Sequence, residues 1–350
     1  MNTRVLIVDD SATMRAILTR LLGSEPDIDV IGAAKDAMEA RGMIRELNPD
    51  VVTLDIEMPG MNGLDFLEKI MSLRPMPVVV VSGITRKGAD TTIRALELGA
   101  VDCYAKPDGS VNALLENDGG TLAQMVRDAA RVRFVRVQTK PTVPVSPVAQ
   151  QTIVASRSGP SVTKLIAIGA STGGVEALHN LLPAFPKTCP PTLIVQHISA
   201  AFAPAMAERL DKQCQATVKL LESGEVLKPG IIYVAPGNDK HASIGGVDTI
   251  IGKMMPGEKI SGHRPSIDIM FESVAQRLGP AAIGILLTGM GQDGARGLLA
   301  MRRAGGRTIA QDEATSTVYG MPRAAADMGA AENILPLPRI AERALAVAGL

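Results

Sequence analysis

The chain has 350 residues, of which 46% are hydrophobic and 21% charged, so it can bury sizeable cores in about two or three domains. Its 36 Lys and Arg residues balance 36 Asp and Glu residues, which argues against a polycationic nucleic-acid binder. Five Phe, three Tyr and no Trp disfavour recognition by stacking on rings. With no apolar run of about 18 residues and no metal-ligand or disulfide spacing of cysteines, we expect a soluble cytoplasmic protein that inserts into no membrane.

The net charge of zero is the sum of three unlike parts. Residues 1–130 carry 13 basic and 20 acidic residues, residues 131–163 carry five basic and no acidic residues, and residues 164–350 carry 18 basic and 16 acidic residues. The net charges are therefore −7, +5 and +2. The middle part is rich in Pro, Ser, Thr and Gln without a helical period, which is typical of an extended linker. We predict an N-terminal domain, a basic linker and a C-terminal domain with these boundaries.

Short apolar runs alternate with amphipathic stretches along the N-terminal domain. The predicted strands are Val5–Val8, Val30–Ala33, Val51–Leu54, Val78–Val81 and Val101–Tyr104. The predicted helices are Ser11–Leu22, which Ser11 can cap, Asp36–Leu47, Gly63–Leu73, Ala89–Leu98 and Thr121–Val132. Five strands alternating with five helices predict an α/β domain with a doubly wound parallel sheet. The strands are apolar throughout, as expected when helices cover both faces of a sheet.

Charged and polar side chains follow the strands of this domain, at the edge where parallel sheets place their sites. In chain order they are Asp9, Asp10, Asp55, Glu57, Ser82 and Lys106. Gathered carboxylates repel one another and need a cation, and oxygen ligands alone favour a hard ion such as Mg²⁺. A carboxylate beside Mg²⁺ and a lysine is suited to accept a phosphoryl group, because both cations stabilise the transferring oxygens. The alternative is a set of solvated acidic residues at strand ends.

The N-terminal domain resembles the receiver domain of two-component response regulators, through the stretches VLIVDDS, DVVTLDIEMPGMNGLDFL, PVVVVSG and a final KP. The resemblance implies that Asp55 is the phosphoacceptor. It also implies that Asp55, Asp9, Asp10 and the backbone carbonyl of Glu57 serve Mg²⁺.

The same resemblance implies roles at the last two strand ends. Lys106 would contact the phosphoryl group, the hydroxyl of Ser82 would move toward it, and the bond between Lys106 and Pro107 would be cis. The chain departs from the family at Cys103, where receivers usually carry an aromatic switch residue. Tyr104 follows one residue later and is expected to face the other side of the strand.

The C-terminal domain again alternates between strands and helices. The predicted strands are Leu165–Ile168, Leu193–Val195, Ile231–Val234, Ile283–Leu287 and Thr308–Ala310. The predicted helices are Gly174–Leu182, Ala203–Leu210, Ser266–Leu278, Gly294–Ala304 and Pro322–Met328. This order predicts a second α/β domain with a mostly parallel sheet.

The run GASTGG, which contains Ser171, follows the first strand of this domain and opens a helix. It fits the G-x-S-x-G nucleophile elbow in the strand, turn and helix context that this motif requires. Glycines permit the tight turn, and the helix N-terminus offers N–H groups to a developing oxyanion. A phosphate-binding loop uses the same geometry, and this stretch alone does not decide between the two.

A serine nucleophile needs a base, and the chain has only four histidines. His179 lies inside an amphipathic helix, which favours a structural role. His241 and His263 lie in predicted loops. His197 directly follows a strand, at the sheet edge where Ser171 is also expected. Its position therefore favours His197 as the base.

The third requirement is an acid that orients the base. Asp293 lies in the run LTGMGQDG, which follows an apolar strand and opens a helix. Capping of that helix is the simplest role for Asp293. The three glycines exceed what a cap needs, however, and suggest close approach to a ligand or to another loop. The order Ser, His, Asp differs from that of the α/β hydrolases and implies a separate fold.

The C-terminal domain resembles the catalytic domain of the CheB family of chemotaxis protein-glutamate methylesterases. The matching stretches are IGASTGG, VQHI, YVAPG, HRPSIDIMF, LTGMGQDGA, TIAQDEAT and YGMPRAA. The resemblance implies a triad of Ser171, His197 and Asp293. It also implies that Thr172 lies beside the nucleophile and that the backbone N–H of Met290 is an oxyanion donor.

Together the two resemblances imply a phosphorylation-regulated serine hydrolase that demethylates glutamate methyl esters and deamidates glutamines. Its implied partners are methyl-accepting chemotaxis receptors as substrates and a chemotaxis histidine kinase as phosphodonor, and its ester chemistry needs no cofactor. One rival is a response regulator that binds DNA through a basic recognition helix, but the C-terminal domain has a net charge of only +2 and shows no helix-turn-helix pattern. The other is a nucleotide-binding module built on GASTGG.

Overall fold

The computed structural model describes residues 2–58, 62–83, 85–106, 120–132, 163–237 and 239–350. Within them the chain forms two separate parallel sheets, each flanked by helices, and one antiparallel hairpin. Both expected α/β domains are therefore confirmed. No helix in the described part of the chain is long and apolar enough to cross a membrane.

The N-terminal sheet has five parallel strands in the order β2-β1-β3-β4-β5. These strands are β1 (Thr3–Val8), β2 (Ile28–Ala34), β3 (Val51–Asp55), β4 (Val78–Ser82) and β5 (Asp102–Ala105). The described helices of this domain are α1 (Ala12–Gly23), α2 (Ala37–Leu47), α3 (Gly63–Leu73), α4 (Arg86–Glu97) and α5 (Thr121–Ala129). As expected, Ser11 caps α1, accepting a hydrogen bond from the Met14 N–H at 3.3 Å.

The register of this sheet aligns the carboxyl ends of its strands. Val8 pairs with Leu54 across β1 and β3, and Asp55 pairs with Val81 across β3 and β4. The residues that follow β1 and β3 therefore meet at one edge of the sheet. The central strands β3 and β4 are buried throughout, because helices cover both faces of the sheet, whereas the edge strand β2 is only partly buried.

The C-terminal sheet has seven parallel strands in the order β14-β13-β12-β6-β7-β9-β8. Its strands are β6 (Leu165–Ala170), β7 (Thr192–Gln196), β8 (Thr217–Leu220), β9 (Ile231–Val234), β12 (Ala282–Leu286), β13 (Arg307–Gln311) and β14 (Asn333–Leu335). The hairpin consists of β10 (Lys240–Gly245) and β11 (Ile251–Pro256). The helices are α6 (Gly174–Leu181), α7 (Ala203–Asp211), α8 (Ile267–Leu278), α9 (Ala295–Arg303), α10 (Met321–Asp327) and α11 (Leu337–Ala348), with short 3-10 turns at Leu182–Ala184 and Gly279–Ala281.

The sequence did not predict β8, β10, β11, β14 or α11. The first and fourth of these strands are sheet edges, and the hairpin is only partly covered, so none of them is a continuous buried apolar run. One consequence concerns His241, which was expected in a loop. It lies in β10 and is buried.

The two domains pack against each other. Cys103 and Leu96 of the N-terminal domain belong to the same hydrophobic cluster as Val175 and Leu178 of α6. On another face, Val318 of the C-terminal domain joins the cluster formed by α1, α5 and the N-terminal sheet. Most of the predicted linker, residues 133–162, and the bond between Lys106 and Pro107 lie outside the described residues.

Candidate active site

The structure brings the predicted acidic residues of the N-terminal domain together. Carboxylate oxygens of Asp9, Asp10 and Asp55 lie within 4.8 Å of one another. Asp9 and Asp55 are buried, whereas Asp10 is exposed, so the cluster is open on one side. An all-oxygen donor set of this kind fits a hard cation such as Mg²⁺.

Among the described residues, Lys106 is the cation that forms ion pairs with the carboxylates of this cluster. Its Nζ donates to Asp55 Oδ2 at 2.7 Å and to Asp9 Oδ2 at 3.0 Å. Burial alone would lower the pKa of Lys106, but the two carboxylates outweigh it and raise that pKa. Burial raises the pKa of Asp9. One lysine facing three carboxylates leaves the cluster short of positive charge.

The remaining predicted residues lie around this cluster. The Glu57 N–H donates to Asp55 Oδ1 at 3.0 Å, which holds the loop after β3 against the carboxylate. The buried hydroxyl of Ser82 donates to the carbonyls of Gly83 and Gly88, at the start of α4. The hydroxyl therefore contacts the backbone of the segment that leads into α4.

Cys103 and Tyr104 face opposite sides of β5, as the strand period predicts. Cys103 belongs to the cluster that reaches α6 of the other domain, and it lines a small cavity beside Ser171. Tyr104 belongs to the cluster on the α1 and α5 side. The usual aromatic position therefore carries a small side chain where the two domains meet.

Ser171 follows β6 and lies directly before α6, as the elbow motif predicts. Its N–H donates to the Thr288 carbonyl at 3.0 Å, and its carbonyl accepts from Gln196 Nε2 at 2.8 Å. Gly173 has a φ of 75°, which permits the tight turn between strand and helix. The side chain of Ser171 is nearly buried, with 7% of its residue surface exposed.

The glycine-rich loop after β12 approaches the nucleophile, as its composition suggested. A Cβ at Gly289 would lie 2.7 Å from Ser171 Cβ, so only glycine fits there. The Gly289 N–H donates to the Val318 carbonyl at 3.0 Å. The loop is therefore fixed on one side and carries Met290, the next residue, close to Ser171.

His197 and Asp293 meet at the same edge of the sheet. His197 follows β7, and its Nε2 lies 3.0 Å from Asp293 Oδ2. An ionised Asp293 accepts this hydrogen bond, so Nε2 carries the proton and Nδ1 is the basic atom. His197 Nδ1 is buried and has no hydrogen-bond partner within the described residues. Ser171 and His197 line one cavity, so the serine and a histidine nitrogen free of other hydrogen bonds in the described part of the chain lie on the same small space.

Asp293 does not cap the helix that follows it, because Gly294 is the N-cap of α9. It lies instead at the N-terminus of α8. The N–H groups of Ile267 and Asp268 donate to it at 2.8 and 3.2 Å, and the hydroxyl of Ser266 donates at 2.8 Å. Burial alone would raise the pKa of Asp293, but these donors and His197 hold it below its usual value.

A second aspartate completes the link between the two helices. Asp268, in the first turn of α8, accepts from the Gly297 N–H at 2.8 Å in the first turn of α9. A Cβ at Gly297 would lie 2.8 Å from the Asp268 carbonyl oxygen, which explains the glycine at this contact. Asp293 and Asp268 thus lock the starts of the two helices together.

Sequence reasoning missed the contribution of the segment between the hairpin and α8. His263, from the stretch HRPSIDIMF, stacks on His197, and Ser266 donates to Asp293. His241 accepts from the Ser266 N–H at 3.1 Å through Nδ1 and donates to the Glu258 carbonyl at 2.8 Å through Nε2. The available signal was the concentration of His, Ser and Asp in one short stretch that follows no predicted strand.

The N-terminal domain closes one side of the catalytic cavity. The cavity has room for about one water molecule, about 10 Å³. It is lined by Leu96, Ala100, Val101, Asp102 and Cys103 of one domain and by Ser171, Thr172, Gly173, Val175, Glu176, Gln196, His197 and Ile198 of the other. A molecule larger than about one water does not fit in this cavity while the two domains are packed in this arrangement.

Polar contacts also link the domains. The Asp102 carboxylate is hydrogen-bonded to the side chain of Thr172, next to the nucleophile, and burial raises the pKa of Asp102 to about 7. Glu97 of α4 accepts from Arg209 of α7 and lies 3.1 Å from Nδ1 of His179 in α6. His179 therefore lies at the domain interface.

Comparisons with known proteins match the N-terminal and C-terminal parts of the chain to two different families. The profile of the CheB methylesterase family matches residues 166–344, and that of the response regulator receiver domain matches residues 5–116. A protein from Caulobacter vibrioides named protein-glutamate methylesterase/protein-glutamine glutaminase 1 is 50% identical over 348 residues, which are 99% of this chain and 98% of that protein.

A relative of the same name from Rhizobium johnstonii is 50% identical over 343 residues, covering 98% of this chain and 95% of that protein. Among solved structures, the catalytic domain of the Thermotoga maritima CheB methylesterase is 35% identical with a TM-score of 0.51. It covers 53% of this chain and 98% of that chain.

Proposed function

The chain belongs to the CheB methylesterase family, and on this basis we propose that it hydrolyses glutamate methyl esters on proteins under control of its receiver domain. It also deamidates glutamine side chains, since relatives about 50% identical over nearly the full length carry both activities in their names. The observation that carries the proposal is that His197 lines one cavity with Ser171 and is hydrogen-bonded to Asp293.

Ser171, His197 and Asp293 are the proposed catalytic residues. The proton of the Ser171 hydroxyl moves to His197 Nδ1 as Oγ attacks the ester carbonyl carbon. His197 then returns the proton to the departing methoxide, which leaves as methanol and gives an acyl-enzyme. Water, deprotonated by His197, releases the glutamate and restores Ser171. With a glutamine side chain the same route releases ammonia.

The electrostatics of the site support these roles. Asp293 receives four hydrogen bonds and stays ionised, so it stabilises the imidazolium that forms at His197. The proposed oxyanion donor is the Met290 N–H, in the loop whose Gly289 contacts Ser171. Thr172 lies beside the nucleophile and contacts Asp102.

In the receiver domain, we propose Asp55 as the phosphoacceptor. Asp9, Asp10 and Asp55 would hold Mg²⁺, which when bound adds the positive charge that phosphoryl transfer to a carboxylate needs. The Glu57 carbonyl is a further proposed ligand. Lys106 already contacts Asp55 and is placed to neutralise an added phosphoryl group.

Regulation follows from the cavity that the two domains share. A phosphoryl group adds about −1.5 to −2 charges at Asp55 and alters the surroundings of Lys106 and Ser82. Ser82 contacts the backbone at the start of α4, and α4 carries Leu96 and Glu97 to the catalytic domain. We propose that this path loosens the domain contact and opens the cavity.

The proposed domains are a receiver at residues 1–130, a basic linker at residues 131–163 and a catalytic domain at residues 164–350. The proposed substrates are methyl-accepting chemotaxis receptors, and the proposed phosphodonor is a chemotaxis histidine kinase. The site needs no cofactor for ester hydrolysis under this mechanism, and cytoplasmic localisation follows from such partners.

Release of labelled methanol from methylated receptor membranes, with and without a small-molecule phosphodonor, tests reaction and regulation together. Ser171→Ala removes the nucleophile and should lower turnover on the order of 10³-fold or more. Asp55→Asn should leave basal turnover unchanged and abolish the response to phosphodonor. Ser223→Ala is the matched control, because Ser223 is exposed on the far hairpin side of the domain.

Near-normal methanol release by Ser171→Ala would refute the triad. A full response of Asp55→Asn to the phosphodonor would refute the assigned phosphoacceptor without touching the triad. The two parts of the proposal can therefore fail separately.

A further inference from the structure

A second imidazole lies face to face with the base of the proposed triad. The ring centroids of His263 and His197 are 3.7 Å apart, and the ring planes differ by 6°. A hydrogen bond from Nε2 to Asp293 fixes one atom of the His197 ring but lets the ring pivot about that atom. A parallel ring in contact removes this pivot, because tilting His197 would drive its atoms into His263.

The backbone holds His263 rigidly in this position. His263 exchanges two hydrogen bonds with Ile260, at 3.0 and 2.9 Å, across a turn in which Ser261 and Gly262 have φ values of 52° and 83°. A pair of positive φ values is typical of a tight type I′ turn. Three residues later, Ser266 is bound both to His241 and to Asp293. One short segment therefore orients the acid and supports the ring of the base.

His263 stays uncharged near neutral pH. Burial, together with the neighbouring His197 and Lys259, lowers the pKa of His263 to about 4, although Asp293 acts in the opposite direction. A neutral ring at stacking distance does not repel the imidazolium that forms at His197 during the reaction. The stacked pair can therefore keep its geometry while His197 carries the proton taken from Ser171.

We propose that His263 is a positioning residue, whose ring plane holds His197 in the orientation that lets Nδ1 accept the proton of Ser171. This inference rests on the proposed function, since it assumes that His197 is the base. His263 takes no proton in the reaction, and a planar uncharged ring is the property that matters. A small shift in the orientation of a catalytic group can lower the rate on the order of 10²-fold.

The test compares four replacements in the full-length protein. His263→Phe keeps a planar neutral ring, His263→Leu fills volume without a plane, His263→Ala removes the side chain, and His263→Lys places a charge beside His197. Each variant is measured for kcat and KM in methanol release from pH 5 to 9. Thermal unfolding and the ¹⁵N shifts of His197 report folding and the tautomer of the ring independently of turnover.

For His263→Phe we expect a kcat close to that of the wild type and a pH profile with the same acid limb as the wild type. We expect a fall in kcat on the order of 10²-fold for His263→Ala and His263→Leu, with KM little changed. In His263→Lys the acid limb of kcat/KM should move by about one pH unit toward lower pH, because a cation disfavours protonation of His197.

Wild-type kcat in His263→Ala, or equal losses in His263→Phe and His263→Ala among folded variants, would overturn the inference. If His263→Ala does not fold, the contrast between the Phe and Leu replacements decides the question. The parallel assay of Ser171→Ala distinguishes a failure of the proposed function from a failure of the role proposed for His263. An active Ser171→Ala enzyme removes the proposed function, whereas an inactive one beside a fully active His263→Leu enzyme removes only the role of His263.

Discussion

The molecule holds two carboxylate sites that differ in how their charge is balanced. In the N-terminal domain, three carboxylates within 4.8 Å face the single ammonium of Lys106. In the C-terminal domain, one carboxylate, Asp293, receives hydrogen bonds from His197, Ser266 and two N–H groups at the start of α8. The first site lacks positive charge, and the second has its charge fully satisfied.

This difference separates a switch from a fixed catalytic site. A cluster that is short of positive charge responds strongly to an added cation or anion, so its state can change with its ligands. A buried carboxylate with all its oxygens bound is costly to disturb and holds its partner in one orientation. The receiver site is therefore suited to change, and the esterase site is suited to stay the same through each turnover.

The same substitution should therefore lower basal turnover strongly at one site and leave it unchanged at the other. Asp293→Asn keeps the shape but removes the charge and places an amide among N–H donors, so we expect kcat to fall about 10³- to 10⁴-fold. Asp55→Asn in the receiver should leave basal kcat unchanged. Steady-state methanol release without phosphodonor measures both effects.

The matched control for this comparison is Asp268→Asn. Asp268 lies at the same helix junction and accepts from Gly297, but it does not contact His197. Asp268→Asn should lower the thermal stability of the protein but keep most of the wild-type kcat. Equal losses of kcat in Asp293→Asn and Asp268→Asn would show that Asp293 acts by holding the helices and not by orienting His197.

The sequence predicted most of the fold because buried parallel strands are apolar runs that are easy to find. All ten predicted strands form, with ends shifted by up to two residues. The edge strands β8 and β14 and the hairpin of β10 and β11 were missed, because their short sequences mix polar and apolar residues.

The candidate sites were predictable to the extent that their residues follow strands. Asp55, Lys106, Ser171 and His197 all do, and parallel topology brings such residues to one edge. His263 and Ser266 instead reach the site through the hairpin and a tight turn, which no strand pattern indicates. The alternative role of Asp293 as cap of the following helix is wrong, because Gly294 is that N-cap and Asp293 binds the start of α8, which comes earlier in the chain.

Asp102 lies at the contact between the two domains, which makes a pH test of that contact possible. Burial raises the pKa of Asp102 to about 7 in the docked domains. A raised carboxyl pKa means that the protonated form favours docking. That stabilisation is complete below the ordinary pKa of about 4 and is lost as pH rises through 7. We expect docking to weaken up to about tenfold between pH 6 and 8.

The measurement is the rate at which a fluorophosphonate labels Ser171. At each pH the wild-type rate is divided by the rate of Asp102→Asn, because this ratio removes the dependence on His197 that both proteins share. The ratio should rise with pH toward a plateau above pH 8. The control is Asp65→Asn, which replaces an exposed acid in α3. The wild-type labelling rate divided by the rate of this variant should not change with pH. A flat ratio for Asp102→Asn as well would exclude Asp102 as a pH-dependent contact between the domains.

Glu97 should give the smallest effect, because its partners are two partly exposed side chains. It accepts from Arg209 and lies beside His179, and all three residues lie at the contact of α4 with α6 and α7. Ion pairs of this kind contribute up to about 1 kcal/mol. Glu97→Gln should therefore raise basal methanol release only about two- to fivefold, by favouring separated domains.

Salt distinguishes this contact from the apolar packing around it. Added salt screens an ion pair near the surface but not the packing of Leu96 and Cys103, so basal turnover of the wild type should rise with ionic strength more than that of Glu97→Gln. Glu68→Gln, an exposed acid in α3, is the matched control. If wild type and Glu97→Gln respond equally to salt, apolar contacts hold the domains together, and the receiver must release them through the position of α4 rather than through its charge.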